Sequence, residues 1–285
     1  FGWPGALERL RERPPRAVAA TAFVAGACRR LRDLAPTRVI AHWLIPCAWP
    51  IAGVAGVPTE VVCHGSDVGL LARLPQPLRR ALLGDLERRG MRFRFVSGAL
   101  CEQLLLGLPD GLADAIRARA SVSPPAVPVS IVDPAARDAC RAHLEGLLPG
   151  PLVAFVGRVI AGKRPLLALA AAAEARASLV VIGDGPALAQ LTAAAEERGV
   201  PMHAPGRLPR PEALSWLAAC DALVVSSRAE GAPTVVREAR ALGVPVVACD
   251  VGDLATLARV DPGIVLAAPH DLGRALAAFL ETRTE

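Results

Sequence analysis

Short apolar runs alternate with amphipathic, helix-like stretches along the whole chain of 285 residues. Seven of the apolar runs are predicted as buried strands, at residues 37–43, 59–65, 93–98, 151–157, 177–185, 221–227 and 244–250. The clearest helical patterns lie between the later strands, at residues 165–176, 186–199 and 211–220. Continuous apolar strands joined by crossover helices are typical of parallel sheets covered on both faces. The pattern therefore predicts an α/β protein with two Rossmann-like halves.

A proline-rich segment, residues 121–134, separates the two halves. Because proline breaks helices, this segment is predicted to be a linker, with the domain boundary near residue 135. We therefore expect one domain over residues 1–135 and a second over residues 136–285. Parallel sheets bind ligands at the carboxyl ends of their strands, so the expected site is a cleft between the two domains.

Composition narrows the class of protein. Hydrophobic residues make up 53% of the chain, and no apolar run reaches the length of about 18 residues that a transmembrane helix needs. The seven cysteines are scattered without a C-x-x-C pair, which favours reduced thiols in a cytoplasmic protein over disulfides or a zinc site. The sequence begins without Met, signal peptide or opening strand, so we expect a fragment whose N-terminal domain is incomplete.

The positive charge is concentrated in the first half of the chain. Residues 1–150 carry 19 Arg and 13 Asp or Glu, whereas residues 151–285 carry 13 basic and 14 acidic residues. This excess is either a set of solvated helix faces or a surface for an anionic partner, such as a phosphorylated acceptor or the inner face of a membrane. Nucleic acid is not expected as a partner, because the chain has no Tyr and only six Phe.

Two glutamates stand eight positions apart in "EGAPTVVREARALGVP". Pro233 disfavours helix before it and suits the first helical position, and Gly243 suits the end of that helix. Glu230 is thus predicted in a loop and Glu238 inside a helix whose N-terminus suits phosphate. Carboxylates beside a phosphate site suit sugar hydroxyl groups. The alternative is a capping acid and a solvated helix residue.

Three further segments carry candidate polar groups at the ends of predicted strands. Arg158 and Lys163 in "GRVIAGKRP" suit a diphosphate, although they could simply be exposed charges. The glycines of "VIGDGP" indicate a tight turn. His64 in "HGSDV" is either a structural histidine or a polar contact to substrate.

Five segments, in their order along the chain, resemble the retaining family 4 glycosyltransferases of the GT-B fold. They are "HGSDV", "FVGRVIAGKRP", "VIGDGPAL", "PGRLP" and the E-x7-E segment. The resemblance covers residues from about 38 to 280. It implies two Rossmann-like domains facing across a cleft and a sugar transferred from a nucleotide-sugar donor. It also implies an acceptor that is a lipid-linked saccharide, a polysaccharide precursor or a small metabolite, and no metal or other cofactor.

The resemblance also implies a role for each matching residue. Arg158 and Lys163 would hold the donor diphosphate, Glu230 and His64 the transferred sugar, and Glu238 the ribose. Around them, the backbone of a first loop would line the sugar and phosphate, and a second strip would approach the base. The first comprises Gly231, Ala232, Pro233, Thr234 and Val235, and the second Gly206, Arg207 and Leu208.

Several departures from the family pattern keep other functions open. The opening strand and its glycine-rich turn are lacking, "EGAP" has a small Ala232, and "PAVPVS" lacks the usual hinge pattern. The main alternative is a non-catalytic nucleotide-sugar-binding protein or a truncated fragment of such an enzyme. A GT-B-like epimerase or phosphorylase fits the motifs less well. A dehydrogenase fits least, since no G-x-G-x-x-G follows a strand.

Overall fold

The computed structural model describes residues 16–128 and 132–282. The chain divides into two compact units, Phe1–Pro125 and Ala126–Glu285. The division lies within the proline-rich segment, somewhat before the boundary expected near residue 135. Each unit contains a parallel sheet with connecting helices, so the predicted α/β class with two Rossmann-like units is confirmed.

The first unit is built on a four-stranded parallel sheet in the order β1-β2-β3-β4. Its strands are β1 (Val39–His42), β2 (Thr59–Cys63), β3 (Arg92–Phe95) and β4 (Ala120–Val122). Its helices are α1 (Arg16–Leu34), α2 (Ser66–Ala72), α3 (Gln76–Arg88), α4 (Gly98–Leu105) and α5 (Asp110–Ala118), and a kinked helical segment spans Leu44–Ile51. In β3, Phe93 and Phe95 are buried while Arg92 is exposed, as strand alternation requires.

The second unit has a six-stranded parallel sheet in the order β10-β9-β8-β5-β6-β7. Its strands are β5 (Leu152–Val156), β6 (Ser178–Ile182), β7 (Met202–Gly206), β8 (Ala222–Val225), β9 (Val246–Cys249) and β10 (Ile264–Ala267). Its helices are α6 (Pro134–Glu145), α7 (Pro165–Glu174), α8 (Leu188–Glu197), α9 (Arg210–Ala218), α10 (Thr234–Ala241), α11 (Leu254–Ala258) and α12 (Leu272–Glu281).

The six-stranded sheet is covered on both faces. Successive residues of β5 enter different apolar cores, Leu152 and Ala154 one core and Val153 and Phe155 the other. This is why the strand is apolar at every position rather than at every second one. The strand order is that of a doubly wound sheet, whose crossovers run in opposite directions from the neighbouring strands β5 and β8. The loops that follow β5 and β8 therefore leave the sheet at its switch point.

Three strands are absent from the sequence prediction. β4 lies at the start of the segment interpreted as a linker, β7 has the sequence MHAPG without β-branched residues, and β10 is a short run after a Pro-Gly turn. Pro233 is the N-cap of α10 rather than its first helical residue, and Gly243 follows its C-cap with φ of 75°. No helix in the described part of the chain has the length and hydropathy needed to cross a membrane.

Candidate functional site

The loops after β5 and β8 meet through a charged pair at the switch point. Lys163 Nζ donates to Glu230 Oε1, and the two side chains are only 22% and 16% exposed. Lys163 ends a short 3₁₀ turn, Ala161–Lys163, and Glu230 lies in the irregular segment between β8 and α10. The structure thus brings together two residues that are far apart in sequence. Arg158 lies exposed on the first of these loops.

Arg164 ties the two loops together. Its backbone is left-handed, with φ of 49°, and its Nε and Nη2 donate to the carbonyl oxygens of Ser226 and Ser227 at 2.5 and 2.7 Å. In return, Ser226 Oγ donates to the Lys163 carbonyl at 2.8 Å, and the Arg228 N–H donates to the Gly162 carbonyl at 2.9 Å. These four hydrogen bonds fix the position of Lys163 relative to Glu230.

The glycine-rich turn after β6 supports the first loop. A Cβ on Gly183 would lie 1.9 Å from the Gly157 carbonyl oxygen, and one on Gly185 would lie 2.3 Å from that of Val159. The Val159 N–H in turn donates to the Asp184 carbonyl at 2.9 Å. The turn predicted from "VIGDGP" is therefore glycine-rich because two backbone segments approach closely there.

Glu238, the residue expected to bind the donor ribose, lies on α10. Its Oε1 accepts hydrogen bonds from Arg210 Nε at 3.0 Å and Nη2 at 2.8 Å, and its side chain is 15% exposed. Arg210 begins α9 two positions after the predicted base strip of Gly206, Arg207 and Leu208, where Gly206 has φ of 83°. The strip and Glu238 are therefore linked through one arginine.

Gly231, Ala232 and Pro233 form the turn into α10, and Thr234 and Val235 are its first two residues. In the described chain, no side chain caps the N-terminus of α10. The turn after β9 packs against it, because a Cβ on Gly252 would lie 2.5 Å from the Gly231 carbonyl oxygen. Arg237 and the buried Asp253 form an ion pair that ties α10 to the same turn.

His64 lies in the first unit, where the loops after β1 and β2 are joined. The buried Asp67 accepts from the N–H groups of His64 at 3.0 Å, Gly65 at 2.9 Å and Leu44 at 3.1 Å. His64 Nε2 lies 2.8 Å from His42 Nδ1, so one ring donates and the other accepts. The arrangement fixes both the backbone and the ring of His64.

Burial lowers the pKa of His64, against the opposing effect of the Asp67 carboxylate, and His42 and Arg94 lower it further. The ring is therefore neutral at neutral pH. A neutral imidazole held by one ring nitrogen offers its other nitrogen to a ligand.

Several residues with structural roles in these sites were not among the predicted site residues, including His42, Asp67, Arg164 and Arg210. Asp67 stands in the quoted "HGSDV", and His42 lies near the end of the predicted strand 37–43, so their positions were visible in the sequence. Arg210 had no local signal, because its partner Glu238 is 28 residues away.

Comparison with known proteins gives one matching family model, that of the glycosyl transferases group 1, over residues 150–282. The chain is 32% identical over 291 residues to 2-deoxystreptamine glucosyltransferase of Streptomyces kanamyceticus, covering 92% of this chain and 73% of that protein. It is 32% identical over 263 residues to D-inositol 3-phosphate glycosyltransferase of Nocardia farcinica, covering 85% and 55%. It is 28% identical over 238 residues to the putative teichuronic acid biosynthesis glycosyltransferase TuaC of Bacillus subtilis, covering 79% and 56%. The chain thus spans little more than half the length of these last two relatives.

Solved structures show the same fold at low sequence identity. HepE of Anabaena, crystallised with UDP and glucose, has a TM-score of 0.73 at 19% identity, covering 91% of this chain and 71% of that one. A glycosyltransferase of Rickettsia africae has a TM-score of 0.71 at 13% identity, covering 91% and 69%.

Proposed function

The chain belongs to the glycosyl transferases of group 1 and has their GT-B type of fold, and from this premise we propose that it transfers a sugar from a nucleotide-sugar donor to an acceptor hydroxyl group. The acceptor that we propose is a saccharide, a lipid-linked saccharide or a small metabolite. The names of the relatives, which refer to teichuronic acid biosynthesis, D-inositol 3-phosphate and 2-deoxystreptamine, support this range.

The observation that carries the proposal is the contact of Lys163 with Glu230 at the switch point of the second sheet. A cation there can hold the β-phosphate of a donor, and a carboxylate can accept hydroxyl groups of its sugar. The bond that breaks joins the β-phosphate of the donor to its sugar. In this proposal Lys163 binds on the phosphate side of that bond and Glu230 on the sugar side. Arg158 on the same loop adds a second cation.

The proposed reaction is retaining and independent of metal. As the sugar–phosphate bond breaks, positive charge develops at the anomeric carbon and negative charge on the leaving diphosphate. Lys163 and Arg158 then bind the transition state more tightly than the ground state. The leaving phosphate takes the proton of the attacking hydroxyl on the same face of the sugar, so no protein base is required.

The remaining site residues have binding roles in this proposal. Glu238, held by Arg210, accepts hydroxyl groups of the donor ribose, and the strip of Gly206, Arg207 and Leu208 approaches the base. The turn from Gly231 to Val235 contributes backbone N–H groups at the start of α10. His64 offers a neutral ring nitrogen to the transferred sugar.

Thermal unfolding of the full chain with UDP, GDP or ADP tests donor binding. A nucleotide present at about 100 times its Kd stabilises the folded state by about 2.7 kcal/mol, which raises Tm by a few degrees. We expect a shift with one nucleotide, UDP being the first to try given the HepE complex. Glu238→Gln removes the shift, whereas Glu197→Gln, an exposed residue on α8, retains it. The absence of a shift with all three nucleotides would overturn the proposal.

We also propose peripheral contact with an anionic membrane through the first unit. The surface around the N-terminal part of α3 exposes Arg73 and Arg80 together with Leu78 and Leu106, which are 52% and 75% exposed. Basic and apolar side chains together suit an anionic lipid surface. Sedimentation with phosphatidylglycerol vesicles should retain the protein at low salt and release it at high salt. Equal binding to neutral phosphatidylcholine vesicles would contradict the electrostatic part of this proposal.

A further inference from the structure

A pocket separate from the proposed donor contacts lies in the second unit at the carboxyl ends of β9 and β10. It has a volume of about 440 Å³ and is lined by Arg164, Arg228 and Asp250, with an apolar wall that includes Val251 and Leu266. A volume of this size falls in the range of sites for small molecules. The proposed donor contacts at Lys163, Glu230 and Glu238 do not include its walls.

The pocket carries a net positive charge, because two arginines and one aspartate line it. Within residues 16–128 and 132–282, neither Arg164 nor Arg228 forms an ion pair with a carboxylate. Arg164 uses Nε and one N–H of Nη2 on two carbonyl oxygens, which hold the guanidinium still without neutralising it. A further N–H group is hydrogen-bonded to the Cys249 thiol on the pocket wall, and the remaining donors are available to a ligand. The side chain of Arg228 is exposed at the pocket.

The pocket also adjoins the proposed site of transfer. Arg164 directly follows Lys163, and Arg228 precedes Glu230 by two positions. Gly252, next to the wall residue Val251, packs against Gly231. A ligand in the pocket therefore contacts the same two loops that hold the Lys163–Glu230 pair.

We propose that this pocket binds the anionic group of an acidic sugar, either the carboxylate of a hexuronate or the phosphate of a sugar phosphate. The guanidinium groups of Arg164 and Arg228 bind the anion, because planar guanidinium groups match both oxyanions. The exposed carboxylate of Asp250 accepts hydroxyl groups of the same sugar. The inference rests on the proposed function in taking the acidic sugar to be part of the donor or acceptor.

The test is a titration of the full chain with D-glucuronate, glucose 6-phosphate and D-glucose at constant ionic strength. Each titration is done with and without saturating UDP, and binding is monitored by NMR of the arginine Nε–H groups. We expect at least one charged sugar to bind more tightly than glucose, and the stronger of the two identifies the anion. Arg228→Gln should weaken that binding about 10- to 100-fold, the effect of one charge-assisted hydrogen bond. Arg198→Gln, which removes an exposed arginine at the end of α8, should leave it unchanged.

Three results would overturn the proposal. The first is that charged sugars bind no better than glucose, and the second is that the Arg228→Gln variant binds them as tightly as the wild type. The third is a loss of binding in Lys163→Ala but not in Arg228→Gln. The last would mean that the anion occupies the donor site. Failure of the donor proposal is distinguishable, because it would appear as absent UDP binding while the charged sugar still bound in an Arg228-dependent way.

Discussion

At the residue scale, Lys163 and Glu230 hold each other at the end of two separate loops. Replacing Lys163 by Ala removes a cation that we propose to bind the leaving diphosphate. We expect kcat to fall about 10²- to 10³-fold, or about 2.7–4 kcal/mol, as for other lost contacts to a developing negative charge. The measurement is release of free nucleotide from the nucleotide-sugar donor. The control is Arg198→Gln, and a Lys163→Ala variant with normal turnover would remove the catalytic part of the proposed function.

His64 gives a prediction for stability against pH. Its pKa is lowered in the folded state, so the unfolded chain takes up the proton first as pH falls. The stabilisation is present above the unfolded pKa of about 6.5 and is lost as pH falls below it towards the folded pKa. We expect urea denaturation at pH 7.5 and 5.5 to show a drop in unfolding free energy that is smaller in His64→Gln.

The exposed His270 supplies the control for this measurement, and His270→Gln should keep the full drop. His203, whose pKa is also lowered by burial and by His143, contributes a drop of the same sign, so His64→Gln reduces the pH dependence without removing it. An unchanged drop in His64→Gln would contradict the placement of a neutral His64 in its hydrogen-bonded site.

The sequence predicts candidate site residues only where they have a local pattern. Glu230, Glu238, Arg158, Lys163 and His64 each stand at the end of an apolar run or within a spaced motif, and such patterns follow from strand and helix geometry. The sequence does not predict which charged side chains pair with each other. That Glu230 meets Lys163, 67 residues away, depends on the order of the strands, which the alternation of elements does not specify.

At the element scale, the turn after β9 controls the position of the loop that carries Glu230. Gly252 has φ of 65°, and a Cβ there would lie 2.5 Å from the Gly231 carbonyl and 3.3 Å from that of Glu230. Gly252→Ala therefore adds a clash to the left-handed strain of about 1–2 kcal/mol. We expect weaker donor binding as well as a lower Tm, because Glu230 must move.

Gly199 provides a matched control for that variant, since its φ is 63° and a Cβ there would meet nothing within 4 Å. Gly199→Ala should lower Tm through the same backbone strain and leave donor affinity unchanged. If both alanine variants bound nucleotide-sugar as the wild type does, the turn after β9 would have no part in positioning the site.

The strands of the second sheet that were found from the sequence are those buried on both faces. β5, β6, β8 and β9 are continuous apolar runs because both faces of the sheet are covered. β7 was missed because it lies at the edge, where half-exposed residues such as His203 and Pro205 suffice. Edge strands are less constrained by burial, so their sequences carry a weaker signal.

At the scale of the whole molecule, the residues proposed to bind the nucleotide all lie in the second unit. A ligand that binds only there stabilises that unit directly. We expect differential scanning calorimetry of the full chain to show a nucleotide-dependent rise in the transition of the second unit, with the first unit shifting less. Hydrogen exchange should show the matching protection at residues 157–164 and 226–242. Protection confined to the first unit would contradict the assignment of the donor site.

Lys163 is the only lysine in the sequence, and its amine is engaged with Glu230. The protein therefore carries a single side-chain target for amine-directed acylating reagents, placed by the fold where the proposed leaving group would sit. The extent of acylation at Lys163 becomes a count of unoccupied sites, readable by mass spectrometry of the peptide that contains Lys163, which separates it from acylation of the α-amino group. Such a reagent would also serve as a selective inactivator, since one covalent event would abolish the cation on which the proposed transfer depends.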